Sequence, residues 1–459
     1  MTRFLLTVSF VILTLLSWVL LLRDEQAITA LGDFSLHLGT TLTSFRQTLL
    51  HYGLNSLVSL LFAMCVIIAF GAYFQALRQK ISLNQALLFS AIFPAIVFFS
   101  YPALSTDIFD YILSDRLAVI FGANVWTTPP SALIPPADPY FQLTSWGSQV
   151  NPYGPLNQFF YLLAGLASMN NFWLSLAAHK LLPLTFLLAS LVVVSKTLQK
   201  YYPQSQSQGI ILLFWNPLFI LETAGSGHND ILWIFFALAA IYFWLGKKFF
   251  ISGLLLALAV QVKFIPVILF IFLLASLTSK ERQGALQFAG AFITVNILAF
   301  LYLGSAVFPF LTRLVLGASI YWQSLPQLVH PLYGQEKIFF TTSFLLLLTS
   351  ALILVLKQRI TPLLGYVVVM FFYLLLLTSV YWNWYILWIL FLIPFLGKTR
   401  LTRPILIFSA TSLLAYPLYW LSLRFGFGSL SWQVIIYLFI ALPPLASFFH
   451  EKIIRRPQD

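Results

Sequence analysis

Apolar runs of roughly 20 residues, parted by short polar joints, repeat along the whole chain. Phe4 to Leu22 is the first, Leu54 to Leu77 the second and Ala86 to Leu104 the third. A run of that length forms a helix able to cross ~30 Å of hydrocarbon. The pattern predicts an all-α polytopic membrane protein with about 13–14 transmembrane helices in a single domain over residues 1–459. Phe4–Leu22 runs into Arg23, Asp24 and Glu25 with no small-residue cleavage pattern, so it reads as a retained helix and not a removed signal.

The joints set the expected topology. Lys and Arg concentrate in alternate joints, which places those joints inside. With Arg3 inside, the third helix delivers Ser105 to the outer face. Leu156 to Met169 is apolar but short, and parity holds only if it does not cross, which predicts an interfacial or re-entrant helix. Residues 196–208 end in QSQSQ and read as a polar linker. A helix over Gly209–Thr223 then leads out to a turn at 225–230, and Ile231–Gly246 returns to Lys247 and Lys248. The run Phe249 to Leu277 has basic residues at both ends, so it must be two short helices, 249–261 and 264–277, bent at Lys263. A second external loop, 304–337, holds Arg313, Tyr321, Trp322, His330 and Tyr333. Tyr381 to Tyr385 joins two later helices outside, and the chain finishes inside at Lys452, Arg455 and Arg456.

Composition sharpens this picture. The chain is 60% hydrophobic and 8% charged, with a mean hydropathy of +0.91, which excludes a soluble globular domain. A net charge of +12 suggests nucleic acid. The clustering of basic residues in alternate joints explains it better, so no nucleic-acid partner is expected. Cys65 is the single cysteine and can form neither an intramolecular disulfide nor a thiolate cluster. No P-loop or G-x-G-x-x-G is present, which argues against a nucleotide substrate. No internal repeat is apparent, which weakens an inverted-repeat transporter.

One stretch breaks the apolar rhythm. Residues 105–156 gather Asp107, Asp110 and Asp115 within nine positions, out of 13 acidic residues in the chain. Ile108, Phe109, Ile112, Leu113, Leu117 and Val119 recur at helical spacing, and prolines follow from Pro129 to Pro139. Carboxylates and aromatics in a folded external loop against a bilayer mark a candidate catalytic site. Under the expected topology Arg116, His179, Lys180 and Glu222 fall on the same face, as do His228, Asn229, Asp230 and Lys263. Ionisable groups at the bilayer are costly and point to function. Blander readings stand beside this one. Lys263 can snorkel at a bend, Asn229 or Asp230 can be a helix cap, and one His beside one Asp is a weak metal signal. A cation, carboxylates and aromatic faces suit a substrate that is part lipid phosphate and part sugar.

Here a resemblance appears. STDIFDYILSDRL, GAN-x-W-TTPP, DPYF, Trp146 and NPYGPL, then WNPLFILETAGSGHND, then VKFIP, follow the order seen in bacterial membrane mannosyltransferases that use a polyprenyl-phosphate-linked sugar. These belong to the glycosyltransferase C superfamily, and the likeness spans roughly residues 85–280. It implies an essential acid at Asp107, a GHND-type motif at Gly227–Asp230 and a basic residue before proline at Lys263. The sequence departs from the family at Asn124-Val125-Trp126, where Asn-Pro-Tyr is usual, and at Ser114-Asp115-Arg116, where Asp-Gly-Arg is usual. Those departures leave the roles of Asp110 and Asp115 open.

The resulting expectation is an inverting hexosyltransferase in a bacterial plasma membrane, with its active site extracytoplasmic. It would move a hexose, mannose by resemblance, from a polyprenyl-phosphate donor to a glycan or glycolipid acceptor. The expected catalytic residues are Asp107 and Asp110. The expected substrate-binding residues are Arg116, Tyr153, His228, Asn229, Asp230 and Lys263. Membrane lipid is the expected surround, and neither cofactor nor metal is expected. A flippase or transporter of lipid-linked sugar and a non-catalytic assembly subunit remain alternatives.

Overall fold

The computed structural model describes residues 1–21, 28, 43, 47, 54–168, 171–306, 322–329, 336–397, 399–424 and 430–450. Among them the chain is helical, with no strand beyond an isolated bridge between Trp322 and Val380. Among the described residues seven helices are long and apolar enough to cross a membrane, or eight if one bent pair counts as a span. Six shorter apolar helices of 10–17 residues stand beside them among the described residues. The protein is an all-α, multi-pass membrane protein. Arg23, Asp24, Glu25, Met169, Arg313, Tyr321, His330, Tyr333, Lys452, Arg455 and Arg456 lie outside the described residues, as does most of 304–337. Two compact units divide the chain, residues 1–270 with 277–318 and residues 271–276 with 319–459.

The first unit opens with α1 (Thr2–Leu21), packed on α2 (Leu54–Ala76) and α3 (Leu83–Phe98). The hydroxyl of Ser82 caps α3 by accepting from the Gln85 amide at 3.4 Å. The apolar run continues to Leu104, but α3 stops at Phe98. Pro102 disfavours helix at the residue before it, and the chain turns into α4 (Asp107–Val119). The next helix, α5 (Pro155–Ser168), has 14 residues. At 1.5 Å per residue it is about 21 Å long, too short to span. It lies against α4, α9 (Phe249–Val262) and the long α6 (Phe172–Tyr201).

The loop 105–156 is a packed layer and not a solvated connector. Phe109, Ile112, Leu113 and Leu117 of α4 are buried with Tyr140, Leu143, Tyr161 and Phe172. Each fully buried side chain of this size contributes about 1.5–3 kcal/mol. That burial gives the loop a fixed shape on which side chains can be aimed.

Two expectations are corrected in this unit. Residues 196–208 are not a slack linker: α6 continues to Tyr201, a tight turn follows, and α7 (Gln206–Phe214) begins within QSQSQ. The polar side chains there bond to backbone. Ser207 donates to the Ile81 carbonyl at 2.7 Å and Gln208 to the Leu77 carbonyl at 2.6 Å. The expected helix over 209–223 is broken as well, bending by 59° before Pro217. Proline has no N–H to continue the ladder, and the Asn216 side chain restarts it by accepting from the Leu218 and Phe219 amides. A single turn, Pro217–Ile220, passes into a π-helical turn at Leu221–Gly225.

After the turn at 226–229 come α8 (Asp230–Leu245) and α9, then α10 (Pro266–Ala275) and α11 (Arg282–Leu303). The break between α9 and α10 falls at Lys263, as the charge pattern demands. Gly253 lets α9 approach α11 closely, since a Cβ there would lie 2.2 Å from the Phe288 carbonyl oxygen.

The second unit contains α12 (Glu336–Leu356), α13 (Pro362–Phe372), α14 (Thr402–Arg424) and α15 (Leu430–His450). The joint at 381–385 contains a 3₁₀ turn, Asn383–Ile386. Trp382 and Trp384 stack there at 5.5 Å, and the Tyr381 hydroxyl bonds to that of Ser412 at 2.6 Å.

Candidate active site

Three segments meet where α4 begins. Asp107 is the first residue of α4, and its amide donates to the Ser105 hydroxyl at 3.2 Å. Asp107 and Asp110 both sit in the first turn, where the helix dipole favours negative charge. The turn after the π-helical segment rests on the same place. Gly227 adopts φ +77, and a Cβ on it would lie 2.7 Å from Ile108 Cδ1. Glycine is therefore required both for the backbone angle and for the close approach.

That approach sets His228 between two carboxylates. Its Nδ1 lies 3.6 Å from Asp107 Oδ2, and its Nε2 lies 3.3 Å from Glu222 Oε2. The backbone fixes the spacing further, because the His228 amide donates to the Glu222 carbonyl at 3.1 Å. His228 and Glu222 are both 0% exposed.

Asn229 and Asp230 turn out not to be caps in the ordinary sense. Asn229 makes no side-chain cap bond to α8, and its amide donates to Asn157 Oδ1 at 3.0 Å. Asp230 is buried, and Lys263 donates to both of its oxygens at 2.9 Å while Trp233 Nε1 donates to Oδ1 at 3.0 Å. Lys263 thus has the partner its position demands. The Tyr153 ring lies 5.8 Å from the ammonium. NPYGPL is held there by backbone: the Gly154 amide donates to the Val262 carbonyl at 3.3 Å.

Asp107 and Asp110 are electrostatically unequal. Burial raises the Asp107 carboxyl above the usual carboxylate range, and the charges of His228 and Lys263 oppose that rise. Burial and then the Asp107 charge push Asp110 well above the range, with only the Trp146 amide, at 3.3 Å from Oδ1, opposing. Two neighbouring carboxyls kept in different states can serve as base and as donor.

The remaining charged groups act elsewhere. Arg116 is nine positions from Asp107, about 180° round the helix. Its guanidinium donates to Asp138 at 3.3 Å and lies 4.1 Å from the Tyr140 ring centroid. Asp115 bonds His179 Nε2 at 2.8 Å and accepts from Gln158 at 2.8 Å. Since His179 Nδ1 faces the Ser175 carbonyl, that nitrogen carries a proton. These contacts bind α4 to α6 and α5. Lys180 bonds the Ser100 carbonyl and lies 3.4 Å from the Ser100 hydroxyl.

Two participants were not singled out from sequence: Asn157 and Trp233. Tyr111 stacks on Tyr161 at 4.7 Å and meets Tyr153 edge-on at 5.6 Å, forming an aromatic wall beside the acids. Its place one turn beyond Asp107 was the available signal. Among the described residues no three His, Cys, Asp or Glu side chains converge as a metal site. The arrangement offers proton transfer at Asp107 and a cation at Lys263.

A comparison with protein families matches residues 8–279 to the MptA_B family, described as alpha-(1->6)-mannopyranosyltransferase, N-terminal domain. The matched stretch contains the whole site from Asp107 to Lys263. No curated protein matches the chain.

Proposed function

The chain belongs to the MptA_B family of alpha-(1->6)-mannopyranosyltransferases and is a membrane mannosyltransferase, and from that premise we propose that it uses a polyprenyl-phosphate mannose donor at the extracytoplasmic face. The acceptor is a glycan or glycolipid hydroxyl. Asp107 takes the hydroxyl proton, the oxygen attacks the anomeric carbon, and the bond from that carbon to the phosphate oxygen breaks. The polyprenyl phosphate leaves with the electron pair, its charge met by Lys263. A single displacement of this kind inverts the anomeric centre.

One observation carries the reading: the turn that sets His228 3.6 Å from the partly buried Asp107 carboxylate also carries Asp230, which holds the Lys263 cation at 2.9 Å. Asp107 feels the charges of His228, Lys263 and Asp230. A base beside a cation suits a reaction that deprotonates a nucleophile and expels an anion. Asp110 donates a hydrogen bond to the sugar or acceptor, and Tyr111 and Tyr153 offer aromatic faces to it. His228, Asn229 and Asp230 are fully buried and serve by holding Asp107, Asn157 and Lys263. Arg116, bound to Asp138, steadies the loop. The reaction needs no metal, so EDTA leaves it unchanged.

The test uses the purified full chain in lipid vesicles with radiolabelled polyprenyl-phosphate mannose and an oligomannoside acceptor. Label passing from lipid to acceptor is the expected result. Label that crosses the bilayer still attached to lipid would make the protein a flippase, and unchanged donor on both sides would overturn the reading.

A further inference from the structure

Asp115 has no task in the reaction just described, yet it is an acid with 1% exposure in a chain that has few acids. A buried carboxylate is costly and persists only where hydrogen bonds meet its oxygens. Both oxygens are met here. His179 Nε2 lies 2.8 Å from Oδ2, and Gln158 Nε2 donates to Oδ1 at 2.8 Å. The bonds continue beyond Gln158. Its Oε1 accepts from the Asn151 side-chain amide at 2.6 Å and from the Ser114 hydroxyl at 3.2 Å. Asn151 Oδ1 in turn accepts from the Tyr153 backbone amide at 2.9 Å. One chain of hydrogen bonds therefore runs from α6 through α4 and α5 to Tyr153, whose ring centroid lies 5.8 Å from the Lys263 ammonium.

We infer that Asp115 is a positioning residue that acts through Gln158 and Asn151 to hold the Tyr153 ring against Lys263, and so shapes the place where the donor phosphate binds. Hydrogen-bond polarity sets the direction. A side-chain amide has a donor end and an acceptor end. The carboxylate oxygen facing Gln158 admits only its NH2 end, which turns Oε1 towards Asn151. That oxygen admits only the NH2 end of Asn151, which leaves Asn151 Oδ1 for the Tyr153 amide. Asp115 thus fixes the sense of every bond that follows. His179 holds it from the other side, with Nδ1 on the Ser175 carbonyl at 2.8 Å.

Tyr153 is gripped at its other backbone atom as well. Trp126 Nε1 donates to the Tyr153 carbonyl at 2.8 Å, and the Asn151 amide donates to the Val125 carbonyl at 2.9 Å. The next amide, that of Gly154, reaches the carbonyl of Val262, the residue before Lys263. The two places where the sequence departs from the family pattern, 114–116 and 124–126, therefore meet at Tyr153. They supply Ser114 and Asp115 to one end of the bond chain and Trp126 to the other.

The role rests on the transferase reading, in which Lys263 meets the donor phosphate, and the experiment separates the two. Mannosyl transfer is measured at saturating acceptor with polyprenyl-phosphate mannose varied, for wild type and Gln158→Glu, each first shown to be monodisperse. Gln158→Glu sets a second carboxylate oxygen against Asp115 and breaks the first bond of the chain. The expected result is a donor KM raised about tenfold, with a smaller change in kcat. Adding Asp115→Asn places an amide donor opposite the new carboxylate, and is expected to return the donor KM towards wild type. In a Tyr153→Leu background, Gln158→Glu is expected to raise the donor KM no further, because the residue it acts through is gone. A wild-type donor KM in Gln158→Glu overturns the inference while leaving the transferase reading intact. So does a raised KM that Asp115→Asn fails to restore, or one that persists in full beside Tyr153→Leu. Absence of transfer in wild type overturns the transferase reading and this inference with it. If Gln158→Glu does not accumulate, Asn151→Leu, at a half-buried position that leaves Asp115 and Gln158 paired, is read in the same way: a raised donor KM is expected, and an unchanged one overturns the inference.

Discussion

Lys263 is joined to Asp230 through both carboxylate oxygens at 2.9 Å, across 33 residues of chain. The pair locks the break between α9 and α10 onto the first turn of α8. It also means that the cation assigned to the donor phosphate has a structural counter-charge, so removing either member has two effects at once.

Those effects can be separated. Lys263→Met leaves a buried, unpaired Asp230, and breaking a buried pair in this way costs about 3–5 kcal/mol. The double variant Lys263→Met with Asp230→Asn has no stranded charge, so its thermal stability in detergent should recover most of that loss. Mannosyl transfer should not recover with it, because the phosphate has lost its cation. A double variant as active as wild type would make the lysine purely structural.

Part of this was legible in the chain. Basic residues at both ends of 249–277 require an even number of crossings, which places the break at Lys263 without any structure. That Lys263 needs a partner was also legible, from the cost of charge in an apolar run. Its partner was not, because Asp230 comes within reach only through the turn that Gly227 permits. That Arg116 lies opposite Asp107 on α4 was legible too, by helical arithmetic. The Asn216-Pro217 break was masked by the hydrophobicity around it. QSQSQ looked like a linker because composition does not reveal which backbone carbonyls glutamine and serine side chains will reach.

Gly154 offers a test of how NPYGPL is anchored. A Cβ at this position would lie 2.3 Å from the Gln261 carbonyl oxygen, a backbone atom that no side-chain rotation can move. Gly154→Ala should therefore displace the Tyr153 segment from the end of α9 and destabilise the protein by about 1–3 kcal/mol. Thermal unfolding checks the size. A neutral change would show that the approach is looser than the backbone indicates.

The sidedness of the site is tested with cysteines in a Cys65→Ala background. Ser148 in the acidic loop and Ser205 beyond α6 are both exposed. Ser148→Cys should react with an impermeant maleimide on intact cells, and Ser205→Cys only after permeabilisation. Labelling of Ser205→Cys on intact cells would place both positions on one side and overturn the extracytoplasmic assignment.

Asp107 bears most of the proposed mechanism, and its difference from Asp110 makes it testable. A hydroxyl is a weak nucleophile near neutrality, and losing a general base costs about 10²–10⁴-fold in rate. Asp107→Asn keeps the shape and the first-turn position but accepts no proton, so transfer should fall by that factor while donor binding persists. Burial and the Asp107 charge raise the Asp110 carboxyl well above the ordinary carboxylate range. An amide reproduces its neutral donor, so Asp110→Asn should lose no more than about tenfold in rate. The pH dependence follows with a definite sign. Burial raises the Asp107 carboxyl, and only its ionised form is a base, so activity should fall on acidification at a pH above the ordinary carboxylate range. Asp110→Asn should keep that acid limb, whereas the residual activity of Asp107→Asn should lack it. An inactive Asp110→Asn beside an active Asp107→Asn would exchange the two roles, and full activity in both would remove this loop from the chemistry.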